Sequence, residues 1–72
     1  MGSPVRGLTP SERVVAFRRG EQWTQVAAAK WYGVDERTWR RYELGERPVP
    51  LTLLNWIDER YERDLAIGER EG

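Results

Sequence analysis

Three arginines within five residues, Arg37, Arg40 and Arg41, are the side chains of this chain with the clearest chemical use. A guanidinium can donate two parallel hydrogen bonds, and O6 and N7 of guanine accept both in the major groove of DNA. On a helix at about 100° per residue, Arg37 and Arg41 lie opposite Trp39, and Arg40 lies between the two sides. The pattern predicts a short helix that packs through its aromatic side and turns its arginines outward to nucleotide bases.

The chain just before these arginines is predicted to form a helix over residues 25–32. Thr24 is a good N-cap because its hydroxyl can accept from a free amide of the first turn, and three consecutive alanines follow. Gly33 stands where a residue in the left-handed conformation ends a helix. Ala28 and Ala29 are small enough to let a crossing helix approach closely.

The arginines themselves are predicted to lie on a second helix over residues 36–44. Asp35 precedes it as an N-cap, and Gly45 follows its last residue. Val34 and Trp39 have the spacing of a hydrophobic staple, which fixes the angle between the incoming chain and the helix. The two helices are therefore joined by a very short turn, and we expect them to cross steeply.

Six residues of this segment have the spacing of a helix-turn-helix of the Cro/cI (XRE) family: Gln25, Ala29, Gly33, Val34, Trp39 and Tyr42. The stretch YELGERPVP also resembles the aromatic-Glu-x-Gly-x-x-x-x-Pro ending that is common in that family. With its tryptophan, TWRRYELGERPVP is most similar to the small phage anti-CRISPR-associated (Aca) autoregulators, which repress their own operons. The resemblance covers about residues 9–65 and implies an all-α, lambda-repressor-like domain of four helices, or five.

This resemblance also implies which side chains would contact DNA. Base contacts would come from the start and outer face of the second helix: Glu36, Arg37, Arg40 and Arg41. Phosphate contacts would come from Thr24, Gln25, Thr38 and Arg47. The acidic start of the helix is a departure, since many relatives carry Gln, Ser or Asn there. Two carboxylates near phosphates are unfavourable unless Asp35 caps the helix and Glu36 either accepts from cytosine N4 or pairs with Arg40.

Upstream, a Thr-Pro-Ser-Glu capping box with proline at the first helical position predicts a helix over residues 10–20. Val14 and Phe17 form its apolar side, and we expect them to cover the two helices that follow. Arg18 and Arg19 either stabilise the carbonyl end of this first helix or make a further phosphate contact.

Downstream, the longest helix is predicted over about residues 51–65. Its apolar stripe is roughly 160° wide, broader than one core contact requires, and contains Leu51, Leu53, Leu54, Ile57, Tyr61 and Leu65. The surplus predicts a homodimer interface at Leu53, Trp56 and Ile57. The alternative is that Leu53 and Trp56 only cover the core of the monomer. We expect residues 67–72 to fray and residues 1–8 to form a flexible segment.

The amino-acid composition argues against several classes of protein function. Cysteine and histidine are both absent, so we expect no disulfide framework, no metal site and no histidine catalyst. Glu43 and Glu46 have no neighbours that suggest acid–base catalysis, and a chain of 72 residues is too small for a deep cleft. We therefore expect no enzyme activity, no cofactor and no small-molecule substrate. Because the sequence has no apolar run of about 18 residues, we expect no membrane insertion and an intracellular location. The resemblance to the Cro/cI family implies the cytoplasm of a bacterial host, near the nucleoid.

The formal net charge is zero, whereas nucleic-acid-binding domains are usually basic. The charge is unevenly distributed, however: residues 1–41 carry eight basic and four acidic side chains, and residues 42–72 carry the reverse. Because screening limits phosphate attraction to about 8–10 Å, the local surface matters more than the total.

Together with these patterns, the resemblance to the Cro/cI family implies a sequence-specific transcriptional repressor that binds double-stranded DNA as a homodimer, at an inverted-repeat operator in its own promoter. Two alternatives stay open. In one, the chain is an antitoxin that uses the same DNA fold and gives its last helix to a toxin. In the other, it is a protein-binding module whose arginines meet an acidic protein and which does not bind DNA.

Overall fold

The computed structural model describes residues 7–71 of the chain, with side chains described for residues 7–63. This part of the chain contains four α-helices and no strand: α1 (Pro10–Gly20), α2 (Gln25–Tyr32), α3 (Glu36–Leu44) and α4 (Leu51–Glu71). The all-α class is confirmed, and the first three helices have the predicted bounds. None of the described helices is both long enough and apolar enough to cross a membrane.

The last helix, α4, begins at the predicted residue but is longer than predicted. Its helical backbone continues to Glu71, past the expected end near residue 65. The one glycine in this stretch is Gly68, and a lone glycine costs a helix only about 1 kcal/mol relative to alanine. The Glu and Arg residues that follow it are good helix formers. The predicted flexible segment at residues 1–8 falls largely outside the described residues, which exclude residues 1–6, residue 72 and the side chains of residues 64–71. Residues 67–71, which were predicted to fray, have helical backbone instead.

The predicted caps are formed at the starts of α1 and α2. The Thr9 hydroxyl accepts from the Glu12 amide at 3.1 Å, and the Glu12 carboxylate accepts from the Thr9 amide at 2.9 Å. At α2, the Thr24 hydroxyl accepts from the Ala27 amide at 3.1 Å. These bonds satisfy amides that have no partner inside the helix, and each such cap typically contributes about 1 kcal/mol.

A short turn, Gly33 to Asp35, joins α2 to α3. Gly33 has φ 88°, in the left-handed region, and its amide donates to the carbonyl of Ala29 at 2.8 Å. The Val34 amide donates to the same carbonyl at 2.9 Å. Both bonds satisfy a carbonyl at the end of α2 and direct the chain into α3, as the position of this glycine predicts.

Gly33→Ala is expected to lower the free energy of unfolding by about 1–2 kcal/mol, because the left-handed region costs an L-residue that much. An added Cβ would meet no described atom within 4 Å, so the cost is confined to the backbone. Gly20→Ala is the matched control, since a Cβ there also meets open space but Gly20 lies in ordinary helical backbone. In urea denaturation, the free energy of unfolding of Gly33→Ala should be lower than that of the wild type, and that of Gly20→Ala should be equal to it or higher. Equal stability of the two variants would contradict the argument.

The core of the described chain is built from all four helices. Eight buried side chains form it: Val14, Phe17, Ala28, Ala29, Trp39, Tyr42, Leu53 and Ile57. Trp39 is completely buried, as its position opposite the arginines predicts. The buried Ala28 and Ala29 leave room for α3, and α2 and α3 are in close contact.

Two of the three residues predicted for a homodimer interface lie in this core. Leu53 is 0% exposed and Ile57 is 6% exposed within a single chain, so neither side chain has surface left for a partner. The prediction is therefore wrong for these two residues, because the width of an apolar stripe does not tell which of its members face the core. Among the α4 side chains that the structure describes, the large apolar ones that are exposed are Leu51, Trp56 and Tyr61.

Trp56 covers an aromatic cluster that ties α4 to α2. Its ring meets Trp31 edge-on with centroids 5.5 Å apart, and it meets Tyr32 in the same way at 5.1 Å. Trp31 in turn lies 5.1 Å from Phe17 of α1. Such ring pairs contribute about 0.5–1.5 kcal/mol each beyond their buried area. The cluster therefore helps to hold the first, second and last helices together.

Candidate nucleic-acid interface

The outer face of α3 carries the arginines on which the functional prediction depends. Arg37 and Arg40 are exposed and Arg41 is half-buried, while Trp39 and Tyr42 on the other side are buried. The predicted division of this helix into an aromatic inner side and a basic outer side is confirmed.

Glu36 and Arg40 form an ion pair across one turn of α3. A guanidinium nitrogen of Arg40 lies 3.0 Å from a carboxylate oxygen of Glu36, and both side chains are about half exposed. The sequence offered this pairing as one way to tolerate an acidic residue at this position. At an exposed site such a pair contributes only about 0.3–0.5 kcal/mol, so its main effect is to neutralise Glu36 beside the other arginines.

The guanidiniums of Arg37 and Arg41 are not held by neighbouring side chains. Among the side chains of residues 7–63, none forms a salt bridge or a hydrogen bond with either guanidinium. Residues four apart on a helix are neighbours on one face. The two arginines therefore present a double set of N–H donors and two positive charges to whatever approaches α3 from outside.

Asp35 stands at the N-cap position of α3, but its carboxylate makes no capping hydrogen bond of ordinary geometry. It accepts instead from the hydroxyl of Thr38. Asp35 therefore occupies the predicted N-cap position, but its carboxylate bonds to a nearby hydroxyl, which competes with the backbone amides for the same oxygen. The bond from Thr38 is also the leading reason that the pKa of Asp35 lies below its usual value of 3.8.

Glu43 is the centre of a hydrogen-bond network that joins three helices. Its carboxylate accepts from Arg18 at 2.6 and 3.2 Å, from the Trp39 indole at 2.7 Å and from the Gln25 amide at 3.0 Å. Arg18 also donates to the carbonyl of Trp23 at 3.0 Å. The side chains of Glu43 and Arg18 are only 7% and 17% exposed. The ion pair is thus largely buried, with several hydrogen bonds that compensate for the loss of water.

This network corrects two interpretations of the sequence. The principal partner of Arg18 is neither the end of α1 nor a phosphate, since this arginine bridges α1 to α3. Glu43, which has no obvious partner in the sequence, holds α1, α2 and α3 at one point. The sequence contains one sign of this role. Glu43 follows Trp39 by one helical turn and so lies on the inner side of α3, where a carboxylate needs a cationic partner.

The predicted phosphate contacts are distributed over three places. Thr24 and Gln25 open α2, Thr38 lies in the first turn of α3, and Arg47 is exposed in the loop after α3. Thr38 already donates its hydroxyl within the turn, so a phosphate contact there would require breaking that bond. Because Gln25 is bonded to Glu43, the start of α2 is held beside the last turns of α3.

Burial by itself raises the pKa of the Glu43 carboxyl. Hydrogen bonds from Arg18, Gln25 and Trp39 outweigh that effect and hold the pKa below its usual value of 4.5. The unfolded chain therefore binds this proton more readily than the folded chain does. It follows that the Glu43 carboxylate stabilises the fold fully above its unfolded pKa, and that this contribution is lost as the pH falls through the folded pKa.

Glu43→Gln is expected to flatten the acid side of the stability profile. The wild type should lose free energy of unfolding as the pH falls below about 5, whereas the variant has no proton to bind at this position and should lose less. Urea midpoints measured from neutral pH to about pH 3 would compare the slopes. Glu46→Gln, which alters an exposed carboxylate just after α3, is the control and should keep the wild-type slope. Identical slopes for Glu43→Gln and the wild type would contradict the assignment.

Comparisons of the chain with protein-family models, with curated proteins and with solved structures give no match. The resemblance to the Cro/cI family therefore rests on the motif residues of the sequence. The geometry is that of two short helices joined by a tight turn, with the second helix fixed by its inner side and basic on its outer side. Such an arrangement can offer guanidinium donors on a rigid element to an anionic surface that accepts hydrogen bonds.

Proposed function

We propose that this protein is a sequence-specific DNA-binding repressor of the Cro/cI helix-turn-helix type and that it acts as a homodimer. One observation carries the proposal: the exposed Arg37 and the half-buried Arg41, neither held by a described side chain, lie on a helix whose opposite side is buried in the core. The major groove admits an α-helix, and a guanidinium there can bind O6 and N7 of guanine. In this proposal α3 is the recognition helix.

The network around Glu43 supports the proposal because it fixes α2 against α3. The N-terminus of α2, where Gln25 lies, carries unpaired amides and the positive end of a helix dipole, both of which favour a phosphate. The Gln25 side-chain amide has two hydrogens, so one can serve Glu43 at 3.0 Å while the other meets a phosphate. A phosphate contact at this point would set the depth of α3 in the groove.

Two such domains related by a two-fold axis would read the halves of an inverted repeat about 34–36 Å apart. Occupying a promoter in this way excludes the polymerase, and binding to its own promoter would make the protein an autoregulator. We assign this activity to the cytoplasm of a bacterial host, at the nucleoid. Binding to its own promoter would also account for the resemblance of the chain to the anti-CRISPR-associated autoregulators.

The test is a gel-shift experiment with the DNA upstream of the protein's own gene at about 50 mM salt. We expect that duplex to shift, and we expect an unlabelled copy to compete for the protein where a scrambled duplex of the same composition does not. No shift with a micromolar excess of protein would overturn the proposal and favour a module that binds an acidic protein.

Arg47→Ala is expected to weaken binding to all DNA sequences alike. Arg47 is exposed in the loop that begins at Gly45, and we assign its charge to a backbone phosphate. Loss of one phosphate contact should reduce the slope of log K against log salt by about 0.9. Titrations between about 50 and 200 mM salt, on operator and scrambled DNA, would measure both effects. A loss confined to the operator would assign Arg47 to a base instead.

A second candidate function, an antitoxin, is favoured by the apolar surface of α4. Leu51 is 77% exposed and Tyr61 is 60% exposed, and a toxin could cover both. Affinity purification together with the product of a neighbouring gene would support this function. A purified chain that forms dimers and shifts its own promoter without that product would favour the free repressor.

A further inference from the structure

We infer that Arg37 and Arg41 read two guanines separated by one base pair in each half-site, and that Arg40 reads none. The inference rests on the proposed function and adds to it the sequence pattern of the DNA. It follows from where the three arginines lie on α3, from what holds each of them, and from the distance between the two outermost ones.

The three arginines differ first in their angular positions around the axis of α3. The inner side of α3 is set by Trp39, Tyr42 and Glu43, which lie in the core or in its buried network. At about 100° per residue, Arg37 and Arg41 lie roughly 150° or more from the centre of that side, and Arg40 lies only about 110° from it. The exposed Arg37 and the half-buried Arg41 therefore lie on the face by which a groove would receive α3, and Arg40 lies toward the groove wall.

The ion pair with Glu36 also distinguishes Arg40 from Arg37 and Arg41. Arg40 is bonded to Glu36 at 3.0 Å, while no salt bridge or hydrogen bond from the described side chains holds Arg37 or Arg41. An Arg40 that turned to a base would leave the Glu36 carboxylate unpaired beside the phosphates. Because like charges repel there, the pair is more favourable if it stays together, and it then contributes no base contact.

Distance fixes the spacing of the bases. Four residues of helix rise about 6 Å, and stacked base pairs in B-DNA rise about 3.4 Å each, so the Cα atoms of Arg37 and Arg41 are offset by a length close to two base-pair steps. Each arginine is matched best by a guanine, whose O6 and N7 accept both of its parallel donors. In an inverted repeat the same pair of guanines appears once in each half-site.

Selection from a randomised duplex library, followed by sequencing, tests this inference with the intact protein and three variants. The wild type should enrich a half-site with two guanines two steps apart, on one strand or on both. Arg37→Ala should lose the preference for one of them by roughly 5- to 150-fold, Arg41→Ala should lose the other by a similar factor, and Arg40→Ala should keep both.

The outcomes separate the inference from the function on which it rests. Enrichment of a motif without this pair of guanines, or loss of one of them in Arg40→Ala, would overturn the readout scheme while leaving a DNA-binding protein. Failure of the wild type to enrich any duplex would overturn the proposed function and the readout scheme together.

Discussion

Glu43→Ala should lower the free energy of unfolding by about 3–5 kcal/mol. The substitution leaves Arg18 charged and only 17% exposed, without the carboxylate that lies 2.6 Å away in the wild type. It also removes the acceptor of the buried Trp39 indole, now at 2.7 Å. A buried charge and a buried donor without partners are both costly. Because a domain of this size is stable by only about 4–11 kcal/mol, the variant should be close to unfolding.

Chemical denaturation followed by tryptophan fluorescence would measure the effect. Glu46→Ala is the matched control, since it removes an exposed carboxylate three residues further on and should change stability by less than about 0.5 kcal/mol. Arg18→Ala should also be destabilising, and the double variant should fall short of the sum of the two by about 0.5–3 kcal/mol. The ion pair would not hold the helices together if the losses of stability in the two single variants were strictly additive. The same would follow if the Glu43→Ala variant were as stable as the Glu46→Ala variant.

The features that could be predicted from the sequence depend on neighbours close in the chain. The capping box at Thr9 and the left-handed turn at Gly33 need only the residues three or four positions away, and both are found as predicted. The inner and outer sides of α3 follow from the helical repeat alone, given an apolar partner for Trp39. The bounds of the first three helices and the direction of the basic outer side of α3 were therefore accessible before any tertiary contact was known.

The features that could not be predicted depend on contacts between distant residues or on competition between local ones. The partner of Glu43 is Arg18, 25 residues away, and no spacing rule connects them. Leu53 faces the core and Leu51 faces solvent, although both belong to one apolar stripe, because the core occupies only part of its width. Asp35 has a hydroxyl and several amides within reach, and composition does not tell which of them it accepts from.

Arg37→Ala combined with Arg41→Ala should remove most of the preference of the protein for its operator over scrambled DNA. Each arginine that reads a guanine is worth about 1–3 kcal/mol of discrimination, so the pair accounts for about 2–6 kcal/mol. Specific binding typically exceeds non-specific binding by about 4–10 kcal/mol, so the loss should remove most of it. The fold should be unaffected, because neither guanidinium forms a salt bridge or hydrogen bond within residues 7–63.

Fluorescence anisotropy on operator and scrambled duplexes at one salt concentration would measure the preference, with thermal melts to verify folding. Arg63→Ala together with Lys30→Ala is the matched control, since it removes two exposed cations from α4 and α2 and leaves α3 intact. If the control keeps the preference and the α3 variant loses it, the position of charge decides binding and a net charge of zero is no obstacle. If a folded α3 variant binds the operator as the wild type does, then α3 is not the recognition helix, and its outward arginines need another explanation.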